Sequence, residues 1–256
     1  MRNSLAIVFV FLLLTPDFAN ADVTVTKYFT YFRGGAQTVE WKSILRIKRL
    51  KMRIDTTRNG KSRISIFDLD SGKAYWLNPE GKEVIVVDLK SASEHLKGDF
   101  MSEKLKRVIQ ATGKNRKISG ISCNEYTFDL KASHLPTYGG SPTSQEDTGM
   151  ACVSTTTPGG LEVTAFVQEA KRRGYILATE QLNPSGTSIG AYFFDEDANE
   201  LVVAATSESS FILPFGPSSR SSSTTRASAI DDMNSDPIPD EEFQIPPDWK
   251  YKKGGF

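Results

Sequence analysis

Residues 50–89 read LKMRIDTTRNGKSRISIFDLDSGKAYWLNPEGKEVIVVDL, and this stretch decides the fold. Leu50, Met52 and Ile54 alternate with Lys51, Arg53 and Asp55, the period of two that gives a strand one apolar and one wet face. Asn59-Gly60 follows, and both central residues of a tight type I′ turn need positive φ, which Asn and Gly accept. The chain returns through RISIF (63–67), turns at Asp70-Ser71-Gly72 and runs on through AYWL (74–77). It turns again at Asn78-Pro79-Glu80-Gly81 before EVIVVDL (83–89). This is a four-stranded antiparallel meander with short turns, and 23–32 and 41–47 extend the same sheet upstream.

Downstream, Ser102 to Ile109 carries a capping Ser, apolar spacings of three and four and a stop at Gly113, which predicts a helix. Strands are predicted at 116–118, 124–130 and 150–155, with a Pro/Gly/Ser/Thr-rich loop over 135–148. Leu161, Ala165, Phe166 and Ala170 share one face of a second predicted helix, 158–173, which ends before Gly174. A hairpin of 189–194 and 201–206 is expected to close the domain, 22–213. Residues 214–236 are Ser/Thr-rich with few apolar side chains and read as a flexible segment. The tail, 237–256, is expected to return to the sheet through Phe243-Gln244-Ile245-Pro246-Pro247. The fold class is therefore α+β: a large curved antiparallel sheet, an incomplete β-barrel, wrapped around two or three helices.

The chain opens with Arg2, ten apolar residues from Leu5 to Leu14, Pro16 and then Ala19-Asn20-Ala21. A helix of ten residues spans about 15 Å, half the hydrocarbon core, so a cleavable export signal, cut after Ala21, is expected in preference to a membrane anchor or a buried N-terminal helix. The mature chain is expected to be periplasmic or secreted and not membrane-spanning. Export gives Cys123 and Cys152 an oxidising compartment, where an even pair is expected as a disulfide. Free buried thiols are the alternative. A redox pair is disfavoured because neither cysteine lies in C-x-x-C.

The 256 residues hold 31 Lys+Arg and 31 Asp+Glu, which argues against a nucleic-acid binder. The balance conceals an asymmetry. Residues 22–120 carry 21 basic against 11 acidic side chains, and 121–256 carry 9 against 19. Mutual neutralisation on folding is the favoured expectation; a basic face for an anionic surface is the other.

Chemistry-bearing motifs are few. Gly60-Lys61-Ser62 lacks the earlier Gly of a phosphate loop and leads into a strand. Asp195-Glu196-Asp197 begins like a calcium loop but has Glu200 where Gly is required and Thr206 at its close. No G-x-S-x-G or H-E-x-x-H occurs, and His95 and His134 have no motif around them. No catalytic residue, metal site or cofactor is expected, and the chain is not expected to be an enzyme.

Three stretches resemble a known family. Met52-Arg53-Ile54-Asp55 with Asn59-Gly60 and Tyr75-Trp76-Leu77-Asn78-Pro79 is similar to the opening strands of a bacterial exported family of unknown function with a lipoprotein-carrier-like (LolA-like) fold. Thr112-Gly113 and Ile118-Ser119-Gly120-Ile121-Ser122-Cys123-Asn124-Glu125-Tyr126 resemble its central segment. Ile238 to Pro247 (IPDEEFQIPP) resembles its closing strand. The resemblance implies a half-barrel around helices in the bacterial envelope, and related carriers of that fold hold acyl chains. The expected ligand is thus a lipid, another apolar molecule or a lipidated envelope protein. It would lie in a groove lined by Leu50, Met52, Ile54, Ile64, Ile66, Tyr75 and Leu77. A filled core and a role in protein–protein contact is the alternative.

Overall fold

The computed structural model describes residues 22–33, 36–100, 106–135, 143–154, 158–175, 201–212 and 222–253. The export signal and the 189–194 strand expected from sequence lie outside these residues. The meander is present as expected. β1 (Val23–Arg33), β2 (Ala36–Lys48), β3 (Lys51–Arg58), β4 (Lys61–Asp68), β5 (Lys73–Asn78) and β6 (Glu83–Asp88) follow one another in sequence and in space. Asn59 and Gly60 both hold positive φ at the β3–β4 turn, at 51° and 75°.

Helix α1 (Leu89–Phe100) comes next, and β7 (Lys106–Ile118) follows it. The helix predicted over 102–109 is therefore misplaced: its described part, from Lys106, is strand. The helix starts earlier because the Asp88 carboxylate accepts the Ser91 backbone N–H at 2.8 Å, an N-cap that begins the helix directly after β6. That bond, with the Ser91 hydroxyl and Lys73 assisting, holds the Asp88 carboxyl below its usual range. Val108 and Ile109, which supplied the helical spacing, are β-branched and fit a pleated strand.

The chain continues through β8 (Ile121–Leu135), β9 (Thr143–Ser154), α2 (Pro158–Arg172), β10 (Leu201–Ile212), β11 (Ser222–Asn234) and β12 (Lys250–Lys253). The loop expected over 135–148 shrinks accordingly, since β9 already begins at Thr143. The flexible segment expected at 214–236 is also corrected. Most of it is β11, paired antiparallel with β1 on one side and β10 on the other. The 201–206 strand is part of β10, whose partners are β9 and β11.

The twelve described strands form one open sheet in the order β12-β6-β5-β4-β3-β2-β1-β11-β10-β9-β8-β7. Every pairing is antiparallel except β12 with β6. Register breaks interrupt β1 against β11, β9 against β10, β7 against β8 and β8 against β9. Such bulges bend a sheet. The β7–β8 turn is carried far enough over that the Ser119 hydroxyl donates to the Ile230 carbonyl of β11 at 2.7 Å. On a flat sheet, β8 and β11 stand about 14 Å apart.

The sheet has two covered faces. On the helix face, Met52, Ile54, Phe67, Ala74 and Val87 pack against Leu89 and Ala92 of α1 and Val163, Phe166 and Ala170 of α2. Helix α2 ends in a Schellman motif: Tyr175 N–H bonds the Ala170 carbonyl, Gly174 N–H bonds that of Lys171, and Gly174 sits at φ 79°. The motif delivers Tyr175 onto Gly72, where a Cβ would lie 2.7 Å from the phenolic oxygen. Glu169 holds both Arg172 and Arg173 at 2.7 Å, which keeps its carboxyl down to about 2, and Arg173 donates onward to the Leu69 carbonyl. The opposite face of β4–β6 is crossed by the segment 237–249. Its Ile238 and Phe243 pack on Ile66, Leu77 and Val84. The tail thus returns to the sheet, as expected, and β12 extends it along the β6 edge.

Candidate functional site

The seven residues named from sequence as one lined groove do not share a face. Leu50, Met52 and Ile54 lie on the helix face, and Met52 and Ile54 are completely buried there under α1 and α2. Ile64, Ile66, Tyr75 and Leu77 lie on the other face, beneath the C-terminal strap. The reason is parity: Met52 is registered with Phe67, so Ile66 must point the other way. One common groove along these seven side chains is geometrically excluded.

The helix face continues away from this filled core along β1 to β3. Partners directly opposite in an antiparallel ladder share a face. The rows Lys27–Ser43–Thr56 and Phe29–Trp41–Arg58 therefore extend the surface that carries Ile47 and Met52. Phe29 and Trp41 are both buried, with ring centroids 5.3 Å apart and planes within 12°. A cation stands over each ring: the Lys27 ammonium 5.9 Å from the Phe29 centroid, and the Arg58 guanidinium 5.6 Å from that of Trp41. Lys27 sits at the β1–β11 register break, opposite the fully buried Ile230.

Part of the Lys27 side chain reaches solvent, but its ammonium is closely surrounded, and burial alone brings it down to about 8. Among the described residues no carboxylate is paired with it. Near the start of α2, which packs against β1 and β10, Glu162 is buried with one carboxylate oxygen unpartnered among the described residues, and desolvation raises its carboxyl. The arrangement is an apolar surface with aromatic walls and a desolvated cation, which favours an anionic group bound next to an apolar body. Sequence reasoning missed Lys27. Its signal was a lone Lys at an inward position between Val25 and Phe29.

A concavity of about 440 Å³ lies on the opposite face of β1 and runs from there across β11, β10, β9 and β8. Its floor is the register row Tyr28–Ala229–Ala204–Cys152–Glu125, across β1, β11, β10, β9 and β8. Glu125 is buried and fully engaged, with Arg116 at 2.5 Å, the Thr112 hydroxyl at 3.1 Å and Lys114 at 3.8 Å. Cys152 of that row forms a disulfide with Cys123, joining β9 to β8 with Cα atoms 5.4 Å apart. His95 falls in α1 and His134 in β8, with side chains outside the described residues. No cluster of three or more His, Cys, Asp or Glu is placed to hold a metal among the described residues.

The two charge halves meet in the fold. Lys48 pairs with Asp240, Arg53 with Glu242 and Lys82 with Asp248, each joining the basic first half to the acidic second. Arg116 with Glu125 does the same. Among the described residues no helix is long and apolar enough to cross a membrane.

Residues 35–135, from β2 through β8, match a domain of unknown function (DUF4412). No curated protein matches the chain. Among solved structures it is similar to a LolA superfamily protein from Nitrosomonas europaea, at 8% identity and a TM-score of 0.30. That match covers 89% of this chain and 91% of the other. It is also similar to a DUF1329 family protein from Desulfovibrio piger, at 10% identity and a TM-score of 0.31, covering 88% and 90%. The open antiparallel sheet rests on the strand register, not on these superpositions.

Proposed function

We propose that this chain is a noncatalytic exported protein that holds an amphiphile, an acyl chain with an anionic head, on the helix face of its sheet. The observation that carries this reading is the Lys27 ammonium, desolvated beside the stacked Phe29 and Trp41 and unpaired with any described carboxylate. An anionic head group would give that ammonium the partner it lacks, and the apolar body would lie along the aromatic pair. Export is supported by the leader-like segment 1–21 and by the disulfide. The motif resemblance to carrier-like proteins points the same way.

Native mass spectrometry on the mature chain from Asp22, purified gently and then solvent-extracted, tests the reading. One lipid-sized adduct per chain is the expected result, lost or strongly reduced in Lys27→Met. A clean mass that stays clean after incubation with vesicles of anionic phospholipid would overturn it.

The second reading is an interaction module without a small ligand. The filled core under α1 and α2 favours it, since Met52, Phe67, Phe166 and Leu89 leave no space at that end of the sheet. A clean mass together with a crosslinked protein partner would establish that reading.

A further inference from the structure

The sheet is open, so two strands present unpaired backbone. Among the described residues, one is β12, four residues long; the other is β7, thirteen residues long and paired with β8 alone. An edge strand is a template for another chain. β7 reads KRVIQATGKNRKI: Lys106, Arg107, Lys114, Arg116 and Lys117 without one acidic residue. The β12 edge, KYKK, is also basic. Two copies of this chain brought edge to edge would therefore set like charges against each other, which disfavours self-pairing.

The two halves of β7 differ. From Asn115 onward it lies beyond a register break at Ala111–Asn115, where Gly113 takes φ 75° and the strand buckles over Glu125. From Lys106 to Ala111 it runs in unbroken register with Lys131 to Tyr126 of β8. On this regular stretch, which opens with Lys106 and Arg107 in sequence, the β-branched apolar side chain of Val108 is 52% exposed. Among the described residues, the carboxylates nearest this stretch are one strand in: Glu125 is taken by Arg116 and Thr112, and Asp129 is half-buried opposite Val108.

We infer that Lys106–Ala111 is a docking edge for an extended acidic segment of another protein, which adds to the sheet as a thirteenth strand. Backbone pairing supplies the affinity, Val108 meets an apolar side chain of the incoming strand, and the surrounding Lys and Arg select acidic flanks. This surface is separate from the Lys27 site, whose strand β1 lies five strands away in the sheet order.

The test uses the mature chain and three synthetic nine-residue peptides: one alternating Glu and Val, its Lys/Val counterpart, and a Glu/Val peptide with proline at its centre. Fluorescence anisotropy gives affinities, and amide hydrogen exchange gives location. The Glu/Val peptide is expected to bind at least tenfold more tightly than either control, to slow exchange in 106–111 and to weaken with salt. Val108→Glu and Gln110→Glu, both at exposed positions, are each expected to reduce binding about tenfold, with unchanged melting of the free chain. Equal binding of the proline peptide would reduce the effect to charge alone and overturn strand addition. Protection confined to other strands, or no binding, would overturn it too.

Discussion

Arg53 of β3 holds Glu242 of the C-terminal strap, its guanidinium 3.1 Å from the Glu242 carboxylate and 2.5 Å from the Glu242 carbonyl oxygen. The same guanidinium also donates to Asp55 on its own strand. Lys48 repeats the arrangement, reaching both Asp240 and the Ile238 carbonyl. These latches place Phe243 over Ile66 and Leu77.

The strap is therefore a structural part of the sheet. Arg53→Ala is expected to cost about 1–2 kcal/mol, since its bonds are charge-assisted and partly buried. Phe243→Ala is expected to cost about 3 kcal/mol, because it empties a covered apolar site. Chemical denaturation of each variant measures both. Wild-type stability in Phe243→Ala would mean that the strap does not contribute to the fold.

The disulfide closes a loop of 29 residues between two buried cysteines. Replacing both by Ala is expected to cost about 3–4 kcal/mol on the chain-entropy model. The intact mass of the native chain should fall by two hydrogens relative to the reduced form, and reduction should need denaturant. Two freely alkylated thiols in the native protein would contradict the pairing.

Lys27 gives a pH signature whose sign is fixed. Its ammonium is lowered from 10.5 to about 8 by burial, so between those values the unfolded chain binds more protons than the folded one. Stability from this group therefore rises with pH across that window, and the penalty is fully present below pH 8. Lys27→Met removes the penalty. It is expected to stabilise the ligand-free chain by on the order of 2 kcal/mol at neutral pH, with the advantage vanishing above about pH 10.5. Denaturation of both proteins at pH 7 and 10.5 checks this. An advantage that does not change with pH would assign the effect to packing.

The meander was legible because its signals are local: alternation over a few residues and turns that require Gly or Asn. β11 was not. Its sequence, SSTTRASAIDDMN, has the composition of a linker, and only Ile230 and Met233 mark an apolar face. Small side chains are what the position needs, for β1 sets Tyr28 against Ala229 and Phe29 against Ser228. A strand whose partner lies some 200 residues earlier leaves no trace in a short window. The Lys27 site was hidden for a similar reason, since its row is assembled from three strands and its desolvation depends on packing. The disulfide was legible from the cysteine count and the leader. The groove was misread because alternation assigns residues to faces only within one strand, and the register between strands decides whether two faces are the same.

The position of β1 constrains how this chain can be made. Strands β1 to β6 emerge in order and pair with neighbours already present, but the other side of β1 stays open until Ser222–Asn234 arrives. During synthesis the half-built sheet thus carries an unprotected seam at its eventual centre. Its last join links segments far apart in sequence, a slow kind of contact to form. The seam, and not either finished edge, is where a partly made molecule is open to capture by a chaperone or by another copy of itself.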